Sequence, residues 1–188
     1  MGGPDYYASG VLFPEHHDRL VANIDKYALD AGINKRWIWT PLTEVCGPEE
    51  IAYVKAFNRY RSSGDVQGLC FIQASYSQVD QRMYAIAGAL TRNFIRARVM
   101  TVGSVLDAIN SGNTPDATCL LIPNFFLSAS QGGTIASWQI AKLFDLLAGR
   151  AAMQQQTIVY ASNLKDLATQ YGAAFRATID ANFLQIQI

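Results

Sequence analysis

Two spacings of apolar residues alternate along the chain. Leu20, Ile24, Tyr27 and Ala28 recur at i, i+4, i+7 and i+8, which predicts a helix over residues 16–30 that stops at Gly32. The same period returns after Pro48, where Ile51, Val54, Phe57 and Tyr60 or Arg61 form the stripe and Ser62-Ser63-Gly64 ends it. Glu49 and Glu50 fall in the first turn of that helix, where carboxylates complement the dipole. From Gly68 onward, short apolar runs at 69–72, 98–101, 118–122 and 157–161 alternate with helical patterns at 79–95, 104–110, 134–150, 164–171 and 173–182. Runs that are apolar throughout suit strands covered on both faces, and the helices between them supply the crossovers that parallel strands need. The expected fold is α/β, with three layers around a central parallel sheet. The strand carrying Cys119 should lie beside the strand carrying Cys70 or next to its neighbour. The lead from Gly2 to Pro14 has no period, and no internal repeat or low-complexity tract occurs.

Composition narrows the partners. Half of the 188 residues are apolar and 16% are charged, enough apolar material for one domain with a full core. Fifteen basic residues balance fifteen acidic ones, so attraction to nucleic acid can arise only from a local patch. Two such patches exist: Arg92, Arg96 and Arg98, with Arg82 earlier on the same predicted helix, and Lys35-Arg36 beside Trp37 and Trp39. Basic groups interleaved with aromatics can follow phosphates while stacking bases, which makes these residues candidates for single-stranded DNA. The competing reading is a solvated helix face and a buried tryptophan pair. Cys46, Cys70 and Cys119 are odd in number and lack metal spacing, as expected of buried free thiols in a cytoplasmic protein. The most apolar stretch, 119–127, is interrupted by Pro123 and Asn124 and is too short to span a bilayer, so no membrane partner is expected. His16 and His17 are adjacent, and their side chains diverge on a helix. No GxSxG elbow occurs, so neither a metal site nor a serine hydrolase is indicated.

Residues 68–90 read as a strand, a loop and a helix in the order of a P-loop, yet no glycine lies between Gln73 and Arg82, and the loop lysine and hydroxyl are missing. Further segments fall into a consistent series. Ala31-Gly32-Ile33-Asn34-Lys35-Arg36-Trp37 is similar to a "GIPxRY" lead-in, and Tyr53-Val54 followed by Gly68-Leu69 to a helix entering the first strand. Ala85-Ile86-Ala87-Gly88-Ala89-Leu90 is similar to the helix behind Walker A, and 99–108 to the second strand and helix. Residues 119–122 stand where a Walker B strand ends, and 143–150 match an "lxxlixxR" helix. Thr157-Ile158-Val159-Tyr160-Ala161-Ser162-Asn163-Leu164 is similar to a "ptIiTSN" sensor strand, and Tyr171-Gly172 with Phe175 and Ile179 to "yGxxlxxRl". In this order and spacing the chain resembles the AAA+ ATPases of the DnaC-type replicative helicase loaders and IstB-type transposase helpers.

The resemblance places Val79 at the Walker A lysine, Asp80 at its Ser/Thr, and Pro123 and Asn124 at the Walker B acidic pair. Thr178 falls at the arginine-finger position, with Arg176 two residues earlier, and Asn163 at the sensor. A degenerate pocket of Gln73, Val79, Asp80, Pro123, Asn124 and Asn163 follows, in which Asn163 suits a helix cap better than a sensor with no nucleotide to sense. The chain thus resembles a pseudo-ATPase that needs no cofactor, with an N-terminal extension at 1–47 and an AAA+-like domain at 48–188. The implied role is a helicase-loader-like adaptor in DNA replication or mobile-element DNA transactions. Its partner would be a helicase, an AAA+ protein or a second copy, together with single-stranded DNA. Two alternatives stay open: an active ATPase with an unusual pocket, and a structural subunit of a larger complex. Gln131-Gly132-Gly133-Thr134, ahead of Trp138, suits either a mobile contact loop or an ordinary helix start.

Overall fold

Five parallel strands form one sheet in the order β2-β3-β4-β1-β5, with β1 at Gly68–Ile72, β2 at Ala97–Val99, β3 at Cys119–Phe126, β4 at Gln156–Ala161 and β5 at Phe183–Gln187. The structure, a computed structural model, describes residues 14–73, 78–128 and 135–188. The lead before Pro14 and the Gln131–Thr134 segment lie outside the described residues. The helices are α1 (Pro14–Ala22), α2 (Ile24–Ala31), α3 (Arg36–Trp39), α4 (Pro48–Ser63), α5 (Val79–Arg92), α6 (Val102–Asn110), α7 (Ser137–Ala152), α8 (Leu164–Tyr171) and α9 (Ala173–Asn182).

The strands expected from apolar runs are all present, and β4 lies between β1 and β3, so the Cys119 strand is next to the neighbour of the Cys70 strand. β5 was not expected, because Phe183-Leu184-Gln185-Ile186-Gln187 is too polar to read as an apolar run. Among the described strands it pairs with β1 alone, and Gln185 and Gln187 are exposed. The helix expected over 16–30 is two helices, broken at Asn23, whose Nδ2 donates to the Arg19 carbonyl. The helix expected to reach Ile95 stops at Arg92, because Phe94 takes a left-handed backbone with φ 58°.

Side-chain alternation builds the layers. Leu69 and Phe71 of β1, with Ile158 and Tyr160 of β4, face a core shared with α4 and α5. Cys70 and Ile72, with Val159 and Ala161, face the other core, closed by α6, α7, α8 and α9. The N-terminal helices join the first layer: Trp37 of α3 is in that core, and α3 approaches α5 so closely that a Cβ on Gly88 would stand 2.0 Å from the Trp37 carbonyl oxygen. Gly32 closes α2 in the left-handed region at φ 68°, and its Cα face meets the Val99 carbonyl of β2.

Among the described residues, two charged groups are buried within this frame. Glu50, 1% exposed in the first turn of α4, pairs with Arg82 on the first turns of α5, so both residues serve packing between helices. Arg150, 3% exposed near the end of α7, donates to Thr157 Oγ1, Gln155 Oε1 and the carbonyls of Pro115, Ala117 and Gln156. Desolvation lowers its pKa to about 10, so it remains charged at neutral pH. Its acceptors lie on β4, beside β4 and on the segment leading into β3. Replacing Arg150 with alanine strands three main-chain carbonyls, and we expect Arg150→Ala to lose about 3–5 kcal/mol of stability in urea unfolding. Arg150→Lys should recover little of it, since one ammonium cannot reach acceptors spread around a planar fork.

Candidate functional site

The loop between β1 and α5 is where a P-loop would wrap phosphates. Residues 74–77, its tip, lie outside the described residues. On either side, the described groups serve structure. Gln78 opens α5 with a left-handed backbone at φ 67° and makes no side-chain cap. Val79 is fully buried in the core between α5 and the sheet, and the Asp80 carboxylate accepts from the Gln81 N–H. The Gln73 carbonyl accepts from Tyr160 OH at 2.8 Å, while its side-chain Oε1 is buried without a partner.

The segment that the resemblance aligns with Walker B is a bulge. β3 pairs Ile122 with Val159 and then Phe126 with Ala161, so Pro123, Asn124 and Phe125 stand against Tyr160 alone. A proline with no N–H fits there without losing a ladder bond. Asn124 Oδ1 accepts from the Val102 N–H at 2.8 Å, fastening the start of α6 to β3. Asn163 is the N-cap of α8: its Oδ1 accepts from Lys165 N at 2.7 Å and Asp166 N at 3.2 Å, the cap reading favoured by its sequence context. Arg176 and Thr178 lie on α9. Arg176 pairs with Asp180 and holds that carboxyl below its ordinary pKa, mainly through the hydrogen bond it donates, and Thr178 Oγ1 donates to the Ala174 carbonyl.

These six pocket candidates do not converge on one cavity. Gln73 and Asn163 share a crevice of about 480 Å³ at the carboxyl ends of β1, β4 and β5, together with Ser162, Lys165 and Arg176. Pro123 lines a separate cavity of about 340 Å³ with Tyr84, Arg98, Thr101 and Ser104. Ser162 and the β5 glutamines were not anticipated as site residues. Ser162 falls within the segment similar to a sensor strand, next to Asn163, whereas no motif marks the glutamines, which the pairing of β5 with β1 brings to the same end of the sheet.

The basic candidates are likewise rearranged. Arg92 and Arg96 were expected at i and i+4 of one helix, but α5 ends at Arg92 and Arg96 lies beyond its cap. Arg92 is half-buried, its Nη1 donating to the Ile38 carbonyl at 2.9 Å, and desolvation lowers its pKa. Arg96 and Arg98 are exposed, with Arg96 bound to Asp116 at 2.9 Å. Both line a cavity of about 500 Å³ at the amino ends of β2 and β3, with Lys26 and Tyr27. Lys35 pairs with Asp25, and Arg36 lies 4.8 Å above the ring of Trp37, itself buried. Arg82, paired with the buried Glu50, belongs to neither basic face. Cys46, Cys70 and Cys119 are buried free thiols, each pushed up to about 12 by desolvation, which keeps them protonated and poor nucleophiles.

No protein-family model matches the sequence, and no curated protein is significantly similar to it. Solved structures do resemble it. The DnaC helicase loader superposes with a TM-score of 0.58 at 15% identity, over 74% of this chain and 86% of that one. The replication initiator DnaA bound to AMPPCP and single-stranded DNA gives 0.56 at 10% identity, over 78% of this chain and 49% of that one. AMPPCP-bound DnaA from Aquifex aeolicus gives 0.54 at 8% identity, over 77% and 48%. The chain spans about half the length of the DnaA chains it matches. The fold is that of the matched parts of the DnaA and DnaC structures. Among the described residues, no helix is long and apolar enough to cross a membrane. Because the Asn163 side chain is committed to the α8 cap, Asn163→Ala should lower stability by about 1 kcal/mol in thermal or urea unfolding. Asn163→Asp or Asn163→Ser should retain most of it.

Proposed function

We propose that the chain is a catalytically inactive, AAA+-like adaptor related to replicative helicase loaders, acting in DNA replication or mobile-element DNA transactions. It works through a protein partner in the cytoplasm and makes a secondary contact with single-stranded DNA. The observation that carries this reading is the fate of the catalytic positions. Val79 is core, Pro123 forms a bulge and the Asn124 Oδ1 accepts from the Val102 amide, so these positions offer neither the lysine cation nor the carboxylates that phosphate and Mg²⁺ chemistry needs. The partner class is supported by the likeness to the DnaC helicase loader and the DNA contact by the likeness to a DnaA solved with single-stranded DNA, with a helicase, an AAA+ protein or a second copy as the candidates.

Purified protein is expected to show no ATP turnover above background and no saturable Mg-ATP binding at micromolar concentration by calorimetry. Val79→Lys combined with Asp80→Thr should not create turnover, because the Walker B position still offers Pro123 and Asn124 in place of carboxylates. Turnover that vanished on Asn163→Ala would refute the inactive reading.

DNA binding should be weak. With Arg92 turned inward, Arg96 and Arg98 remain to meet about one or two phosphates, and each adds roughly 0.7 to the negative log–log salt slope on a single strand. Anisotropy of a labelled oligonucleotide across a salt series should give a slope of about 1, flattened by Arg96→Ala with Arg98→Ala. A steep slope unaffected by that pair would move the DNA contact elsewhere.

A further inference from the structure

We propose that the free edge of β5 pairs antiparallel with β5 of a second copy of the chain, joining two five-stranded sheets across a two-fold axis. Among the described strands β5 has one neighbour, β1. The Ile188 N–H donates to the Ile72 carbonyl, and because main-chain groups alternate sides along a strand, Leu184 and Ile186 face β1 as well. The N–H and C=O of Gln185 and of Gln187 therefore point away from the sheet, and both residues are exposed. Among the described residues no hydrogen bond reaches those main-chain groups. The Phe183 N–H differs, since it bonds to the Ile179 carbonyl at the end of α9. An edge with unpaired donors and acceptors is a ready template for another strand.

The two edges of the sheet are built differently. β2, at the opposite edge, is three residues long and carries the exposed Arg98, features that discourage edge pairing. β5 is five residues long, runs in unbroken register with β1, and contains no charge, proline or glycine. Self-complementarity selects the occupant. With Gln185 of one copy opposite Gln187 of the other, both residues exchange their outward N–H and C=O groups, giving about four main-chain hydrogen bonds. The facing carboxamides both donate and accept, and although Gln185 Nε2 already gives one N–H to Asp180, its second N–H and its oxygen remain. No like charges meet along the strand, and balanced net charge leaves the approach of two copies unopposed at neutral pH. On the other face Leu184 and Ile188 are partly buried, and pairing covers them further. One strand pair with its flanking side chains lies at the small end of specific interfaces, so the expected Kd is about 10–100 µM. The assignment is independent of the inactive reading of the Walker positions, none of which lies on β5.

Sedimentation equilibrium of the full chain from about 1 to 300 µM should show monomer and dimer in exchange, with no larger species, because a two-fold pair closes on itself. Amide hydrogen exchange at Gln185 and Gln187 should slow as concentration rises, while the already bonded Phe183 amide stays unchanged. Gln185→Pro removes an outward N–H that β1 does not use, so it should weaken the dimer at least about tenfold and keep the far-UV spectrum of the folded monomer. A charge exchange tests the same edge without proline. Gln185→Lys with Gln187→Lys, and Gln185→Glu with Gln187→Glu, should each be monomeric, and mixing them in equal amounts should restore a dimer containing one of each. A wild type that stays monomeric throughout overturns the proposal and leaves the edge to an extended segment of a different protein. A dimer unmoved by Gln185→Pro and by both charged pairs overturns it too, as does growth beyond dimers or a failure of the two folded charged variants to associate on mixing.

Discussion

The Arg150 guanidinium is the point through which the second layer of the fold is fixed to the sheet. It is almost fully buried and charged, a state tolerated only because its N–H groups are matched by oxygens on β4, beside β4 and on the segment entering β3. Those acceptors belong to segments far apart in sequence, so the arginine sets the height of α7 against the strands and the entry of β3 at once. Displacing any of them leaves a buried donor unmatched, which makes the arrangement cooperative rather than a sum of weak contacts. The carboxyl ends of β3 and β4, where the bulge and the α8 cap lie, inherit their position from this anchoring at the opposite end.

At those carboxyl ends, polar side chains have been turned to structural use. Asn124 fastens α6 to β3, Asn163 caps α8, and Asp80 bonds its own helix start. In a working nucleotide site such groups would be held ready for a ligand, at a cost in stability. Here one side-chain oxygen of each is bonded to a backbone amide of the fold. Among the described residues there, Ser162 Oγ and Gln73 Oε1 are buried without a partner.

Much of the fold was legible because local signals and tertiary demands agreed. Pro48 and Gly64 bracket α4, and the apolar runs of β1 and β4 mark strands buried on both faces. Asn163 read as a cap and is one. β5 was not legible: Gln185 and Gln187 break its apolar pattern, and it is a strand because β1 offers it an edge. The end of α5 depends on a left-handed residue, Phe94, whose side chain carries no propensity for that conformation. Arg92 looked like surface charge because sequence does not show that α3 would lie close enough over Gly88 for Ile38 to offer it a carbonyl. Charges such as Glu50 and Arg150 fail in the same way, since their burial is decided by partners distant in the chain.

The sheet order imposes a schedule on synthesis. β4 enters between β1 and β3 although it is made after both, so neither inner edge is covered until residues 156–161 have emerged. At about 5–20 residues per second, β1 waits on the order of 4–18 s for its central neighbour. During that interval Leu69-Cys70-Phe71-Ile72, apolar on both faces, is exposed without a pairing partner. The nascent chain is therefore most exposed to misassociation before β4 appears, since both edges of the inner strands stay open until then.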